Sequence, residues 1–154
     1  RGRGTNLAPA GRLSGSLSFR ILSSDPVSEM KIGRVTADGR ARVHISVGGT
    51  SGAKEEIDAL LDTGFNGALA LSSAQIATLG LNQRSKTRVV LAGGERRHVP
   101  TYRATVQFGT REQTVLVAEA GEPLVGMDLL WEYDLYLQCR EGGHVVIEDP
   151  PPDE

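Results

Sequence analysis

Apolar and polar residues alternate along most of the chain, and this period of two is typical of strands that bury one face. The clearest example is residues 42–47, where Val43, Ile45 and Val47 alternate with polar neighbours. Such segments come in pairs separated by short stretches that contain glycine, which predicts tight hairpin turns. The pattern therefore predicts a domain built mainly from β-hairpins.

Turn residues separate the strand-like segments at four places, and each of them predicts a hairpin. The turns are expected at Asp38-Gly39, Gly93-Gly94, 108–111 and 141–143. The last turn joins residues 134–139 to residues 145–148. Cys139 ends the first of these two segments, and we expect its side chain to be buried or half-buried there.

Two short segments depart from the period of two and predict helices. Residues 72–79 begin with Ser72, and Gln75 stands three residues later, which is the capping box of a helix N-terminus. Gly80 follows at the point where this helix would end. A second short helix is expected to begin after Gly126.

The two ends of the chain differ from the alternating middle. Residues 1–29 are rich in Gly, Ser and Arg, and we interpret them as a flexible N-terminal extension in which residues 17–21 could add an edge strand. Residues 149–154 contain consecutive prolines, which cannot continue a sheet because proline lacks an N–H. The folded domain is therefore expected to span residues 30–148.

Length and composition suit one soluble domain with a substantial core. The chain has 154 residues, of which 39% are hydrophobic and 23% are charged. A formal net charge of −2 argues against nucleic-acid binding, which usually needs a clearly basic face. The longest apolar runs fall short of the ~20 residues that a membrane-spanning helix needs. We expect no nucleic-acid partner, no membrane span and a cytoplasmic location, with a tethered form left open if the chain is a fragment.

The residue types give little support to metal or disulfide chemistry. Cys139 is the only cysteine, which excludes an internal disulfide framework and a multi-cysteine zinc site. His44, His98 and His144 are scattered over separate strand-like segments, without partners at metal-ligand spacing. No metal and no other cofactor are therefore expected.

The candidate chemistry centres on Asp62, which follows an apolar run and precedes a glycine-rich stretch. The preceding residues 54–61 are good helix formers, but we interpret them as a strand because this motif follows them. An aspartate there is held at the end of a rigid element, and glycine lets neighbouring N–H groups fold around its carboxylate. The bare sequence Asp62-Thr63-Gly64 is weak on its own, because an ordinary turn could use it by chance.

Two further features stand in order after this motif. Gly93-Gly94 lies at the tip of a predicted hairpin, and residues 123–130 combine apolar residues and Gly126 ahead of a short helix. Over about residues 40–148 this ordered set resembles the retroviral-type (retropepsin-like) aspartic proteases, and most of all their small single-domain bacterial relatives. The resemblance implies an all-β fold, a small closed antiparallel acid-protease barrel with one or two short helices and one lobe per chain.

The resemblance also implies a role for each matching residue. Asp62 would be the catalytic aspartate, Thr63 would hydrogen-bond across a dimer beneath it, and Gly64 would supply backbone beside the carboxylates. The residues that would pack beside the aspartate and support it are Leu124, Val125 and Gly126. The flap and substrate-binding residues would be Phe65, Leu91, Ala92, Gly93, Gly94 and Glu95.

The reaction of this family needs two carboxylates that share one proton, because like charges about 3 Å apart cannot both ionise. The chain carries one such motif and no internal repeat, so the second carboxylate must come from another copy. The expected function is that of an aspartic endopeptidase, a hydrolase that acts as a homodimer on a peptide or protein substrate. One Asp62 would activate a water as general base, while its protonated partner hydrogen-bonds the scissile carbonyl.

Phe65 departs from the pattern, because the viral enzymes carry a small residue directly after this glycine. Its ring must either fill a substrate subsite or pack outward into the core. The alternative function is therefore a non-catalytic dimeric module that binds a peptide in a retropepsin-like fold, and an unrelated ligand-binding barrel is a more remote hypothesis.

Two other acidic residues are also candidates for a catalytic role. Asp58 lies four residues before Asp62 and could share a face with it on a helix. On a strand the two would be ~13 Å apart, too far to share a proton, and the strand is the favoured interpretation. Asp128 is expected to cap the second helix rather than to act in catalysis.

Overall fold

The computed structural model describes residues 29–150, which form ten β-strands and two short helices. The strands are β1 (Glu29–Val35), β2 (Ala41–Gly48), β3 (Lys54–Leu61), β4 (Leu69–Leu71), β5 (Gln83–Val90), β6 (Arg96–Phe108), β7 (Arg111–Glu119), β8 (Leu124–Val125), β9 (Asp134–Leu137) and β10 (His144–Glu148). The helices are α1 (Ser73–Thr78) and α2 (Met127–Leu130). The possible edge strand at residues 17–21 lies outside the described residues.

All ten strands belong to one sheet, in the order β5-β6-β7-β4-β8-β3-β2-β1-β10-β9. A further pairing joins residues 46–48 of β2 to residues 105–107 of β6 and closes part of the sheet into a ring. Most neighbouring strands run antiparallel, whereas the pairs β3–β8 and β4–β7 are parallel. The prediction of a small all-β fold with short helices is confirmed, with a ring that is partly closed.

The four predicted hairpin turns are all present. They connect β1 to β2, β5 to β6, β6 to β7 and β9 to β10. Each turn contains a glycine with a positive φ, the conformation that favours this residue, namely Gly39, Gly94, Gly109 and Gly142. The expectation for Cys139 was wrong, because β9 ends at Leu137 and the cysteine is exposed beyond it.

The strand β3 forms although local propensity favours a helix. Its residues pair with β2 from Leu60 opposite Arg42 to Lys54 opposite Gly48. Ile57 on β3 is buried, whereas the next residue, Asp58, is exposed on the opposite face. Cross-strand pairing and the burial of one face therefore outweigh propensity here.

Helix α1 begins as its capping box predicts. The Ser72 hydroxyl accepts a hydrogen bond from the Gln75 N–H at 3.3 Å, and the Gln75 side chain accepts one from the Ser72 N–H at 3.0 Å. Helix α2 begins after Gly126, also as predicted. No side-chain hydrogen bond caps it, so the expectation that Asp128 caps this helix was wrong.

A single cluster of buried residues, from Ile32 to Ile147 in the sequence, forms the core of the described part. Val43, Ile45 and Val47 alternate inward along β2, and none is more than 1% exposed. Phe108 and Tyr133 pack edge to face with ring centroids 5.9 Å apart, which ties the end of β6 to the segment after α2. One continuous core therefore fixes the strand ends from which the candidate site is built.

Candidate active site

Asp62 follows the last residue of β3 and is held by three short hydrogen bonds. Its N–H donates to the Val125 carbonyl at 2.9 Å, and its Oδ1 accepts from the Gly64 N–H at 2.9 Å. Its carbonyl accepts from the Phe65 N–H at 3.1 Å. Two of these bonds hold the backbone of Asp62 and the third holds its half-buried side chain, within a segment that we call the aspartate loop (residues 62–68).

Strand β8 lies between the two strands that the aspartate loop connects. It pairs in parallel with β3, through Leu60 opposite Leu124 and Leu61 opposite Val125. It pairs in antiparallel with β4 on its other side. Two of the three residues predicted to pack beside the aspartate thus lie in β8, and Val125 is fully buried.

Gly126, the third of these residues, stands where no side chain fits. A Cβ at this position would lie 2.2 Å from the Gly67 carbonyl oxygen and 2.5 Å from the Phe65 carbonyl oxygen. The Gly126 N–H donates to the Ala68 carbonyl at 3.0 Å, and the next N–H, of Met127, donates to the Phe65 carbonyl at 2.8 Å. The residue is glycine because the aspartate loop passes directly against its backbone.

Thr63 and Gly64 lie at the exposed tip of the aspartate loop. The exposure of Thr63 leaves its hydroxyl accessible to another molecule, whereas the Gly64 N–H already donates to the Asp62 carboxylate. The carboxylate of Asp58 is engaged elsewhere, because Arg42 Nε lies 3.2 Å from its Oδ2. The structure therefore gives no support to a carboxylate pair between Asp58 and Asp62 within one chain.

An open groove of about 840 Å³ runs beside the aspartate loop. Its lining comes from residues 64–69, 87–90, 99, 101, 113–116, 118 and Asp128. Most of these side chains are apolar, and two of them, Val90 and Leu116, are 66% and 51% exposed. We call this feature the β5–β7 groove; its size and lining suit an extended peptide with apolar side chains.

The predicted flap residues and the groove lie close in sequence but do not coincide. Leu91, Ala92, Gly93, Gly94 and Glu95 form the exposed turn between β5 and β6. The groove is lined instead by residues 87–90, just before this turn.

Sequence reasoning missed the contribution of β7 to the groove. Residues 113–116 of this strand line it, and Leu116 is the most exposed apolar residue among them. The sequence carries no clear signal for this role, because single exposed apolar side chains such as Leu116 are common on protein surfaces.

The ring of Phe65 was expected either to fill a substrate subsite or to pack into the core, and it does neither completely. It lies against its own loop, since a Cβ added at Gly67 would be 2.6 Å from the ring atom Cζ. It also lines the β5–β7 groove and is half-buried. The ring therefore packs on backbone and forms part of the groove at the same time.

Ion pairs secure the chain segment that leads into β8. Glu122 Oε2 lies 3.2 Å from Arg40 Nη1 and 3.7 Å from Arg42 Nη1. The next residue, Pro123, accepts a hydrogen bond from the Leu60 N–H at 2.9 Å. These contacts join the start of β8 to β2 and β3, on the side from which Asp62 emerges.

Within residues 29–150, no three His, Cys, Asp or Glu side chains are grouped so that they could hold a metal ion. Neither helix in this part of the chain has the length and apolar character needed to cross a membrane.

Comparison with known proteins shows a structural similarity but no sequence match. No family model and no curated protein matches the chain. Among solved structures, the chain is similar to an EIAV protease complexed with the inhibitor HBY-793, at 21% identity and a TM-score of 0.47. The matched region covers 59% of this chain and 85% of that one.

Proposed function

We propose that this protein is an aspartic endopeptidase of the retropepsin-like type, active as a homodimer. The observation that carries the proposal is the setting of Asp62: its half-buried side chain accepts a hydrogen bond from the Gly64 N–H, and its backbone N–H donates to the Val125 carbonyl. The β5–β7 groove is lined by the following residues of the aspartate loop, from Gly64 to Ala68, although not by Asp62 itself. A rigidly held carboxylate beside a peptide-sized groove is the arrangement that acid–base hydrolysis of a peptide requires.

The chemistry requires a second carboxylate, which a partner's Asp62 would supply about a two-fold axis. The pair shares one proton, because two carboxylates at ~3 Å cannot both be ionised. The ionised member takes a proton from water as the water oxygen attacks the scissile carbonyl carbon. The protonated member gives its proton to the carbonyl oxygen, and the resulting diol breaks its C–N bond when the nitrogen is protonated.

The outer edge of β9 supports a dimer. Among the described strands, β9 lies at one end of the sheet and pairs with β10. Tyr136 and Leu137 on this strand are 37% and 41% exposed, and Trp131, just before it, is 66% exposed. An exposed apolar edge can pair with the same edge of a second copy in an isologous contact.

The first test replaces Asp62 by asparagine. Asp62→Asn keeps the size and the hydrogen-bonding shape of the side chain but removes the titratable group, so peptide cleavage should fall by about 10²–10⁴-fold. The measurement is the cleavage rate on a peptide mixture, read by mass spectrometry, for folded protein verified by circular dichroism.

The matched control is Asp58→Asn, which loses only the contact with Arg42 on the surface. We expect it to keep wild-type activity. Full activity in Asp62→Asn would overturn the proposal. Peptide binding without cleavage by the wild type would favour the second candidate, a non-catalytic peptide-binding module, which the apolar lining of the groove also suits.

A further inference from the structure

The aspartate loop holds the Phe65 backbone from two directions. Its N–H donates to the Asp62 carbonyl at 3.1 Å, and its carbonyl accepts from the Met127 N–H at 2.8 Å. The Cα–Cβ bond of Phe65 is therefore fixed in direction, three residues after the proposed catalytic carboxylate. A side chain in this position can be moved little without breaking the loop.

Two glycines form the surface on which the ring lies. A Cβ at Gly67 would meet the ring atoms Cζ at 2.6 Å and Cε2 at 2.9 Å. A Cβ at Gly126 would meet Cδ1 at 2.6 Å. The ring thus fills the volume that side chains at both positions would need, and it has no room to move further toward them.

The remaining side of the ring lines the β5–β7 groove. We propose that Phe65 determines substrate specificity: its ring limits the size of the apolar side chain that a substrate can insert into the groove beside the aspartate loop. This inference rests on the proposed endopeptidase function. Because the ring is supported by backbone, a large substrate side chain cannot displace it, and peptides with Ala, Val or Leu at that position are preferred over peptides with Phe or Trp.

The test compares four proteins: wild type, Phe65→Ala, Gly67→Ala and the double variant. Each is assayed on peptides that differ only in the residues flanking the scissile bond, with Ala, Leu, Phe or Trp there. Phe65→Ala should raise kcat/KM for Phe and Trp peptides relative to Leu by about tenfold or more. Gly67→Ala should shift the preference further toward Ala, because its methyl group pushes the ring into the groove.

The double variant isolates the contact between the ring and Gly67. Without the ring, a methyl group at residue 67 has space, so the double variant should match Phe65→Ala in specificity. Its melting temperature should also not fall below that of Phe65→Ala, whereas Gly67→Ala alone should lower the melting temperature of the wild type. If Phe65→Ala fails to fold, Phe65→Leu keeps most of the packing and should show a smaller shift in the same direction.

The outcomes separate the two proposals. Equal specificity in all four proteins, with cleavage retained, overturns the role of Phe65 and leaves the endopeptidase function intact. Absence of cleavage by the wild type overturns the function, and the role of Phe65 with it. Additive effects of the two substitutions on melting temperature would also contradict the packing described for the ring.

Discussion

At the scale of single residues, the candidate site depends on two glycines, which have no side chain. Gly126 lets β8 and the aspartate loop come into backbone contact, and Gly67 gives the Phe65 ring a surface to lie on. The carboxylate of Asp62 then accepts a hydrogen bond from the Gly64 N–H, and the backbone of Asp62 is held by the Val125 carbonyl and the Phe65 N–H. Backbone groups of a packed loop are fixed by the fold, so they orient a carboxylate with little conformational freedom.

This packing predicts that Gly126→Ala is severely destabilising. The added methyl group would meet two carbonyl oxygens at 2.2 and 2.5 Å, and neither belongs to a side chain that could rotate away. We expect a loss of about 3 kcal/mol in the free energy of unfolding, measured by denaturant titration. Gly121→Ala is the control, because a Cβ there meets nothing within 4 Å. Equal stability of the two variants would contradict the described contact.

The candidate role of Asp62 could be inferred from the sequence, but the position of the Phe65 ring could not. The ring's position depends on Gly126, about sixty residues further along the chain, as well as on Gly67. A sequence pattern reports which residues are apolar, but not which distant backbone passes beside them. For the same reason, the sequence did not reveal that β7 lines the groove.

At the scale of elements, local chemistry explains most of the correct predictions. The turn between β1 and β2 is an example: the Thr36 hydroxyl donates to the Asp38 carboxylate, which lowers the pKa of Asp38, and Gly39 has a φ of +80°. All of these residues lie within one turn, so the sequence alone specifies the hairpin. The parallel pairs β3–β8 and β4–β7 join distant segments, and no local signal marks them.

The capping box of α1 gives a test at this scale. Ser72→Ala removes the oxygen that accepts the Gln75 N–H, so the free energy of unfolding should fall by about 1 kcal/mol. The control is Ser73→Ala, at the exposed first residue of the helix, which should change stability by less than about 0.5 kcal/mol. Both values come from urea titration, and an unchanged midpoint for Ser72→Ala would contradict the cap.

At the scale of the whole molecule, the sheet formed by residues 29–150 ends in two edge strands, β5 and β9. Strand β5 contributes to the groove, and β9 carries the exposed Tyr136 and Leu137. Under the proposed function, the β5 side would face a peptide and the β9 edge would face a second copy of the chain. Sequence reasoning proposed a homodimer from the chemistry of paired carboxylates, without indicating which edge would form it.

Dilution tests the proposed homodimer directly. If activity requires two chains, specific activity should fall about tenfold for each tenfold dilution below the dimer dissociation constant. Tyr136→Lys places charge on the β9 edge and should weaken the dimer. The loss of specific activity should then begin at a higher protein concentration. Gln83→Lys on β5 is the matched control and should leave it unchanged. Initial rates and sedimentation are measured on the same samples, and constant specific activity in samples that sediment as monomers would exclude the dimer.

The position of β8 between β3 and β4 has a consequence for the newly made protein. The aspartate loop takes its shape from hydrogen bonds to residues 125–127, which are synthesised about sixty residues after the loop itself. A nascent chain that still lacks that segment has Asp62 and its contact with the Gly64 N–H, but not the hydrogen bond to the Val125 carbonyl that fixes the Asp62 backbone. The candidate site therefore takes its final shape only after residues 125–127 have been synthesised and have packed beside the aspartate loop.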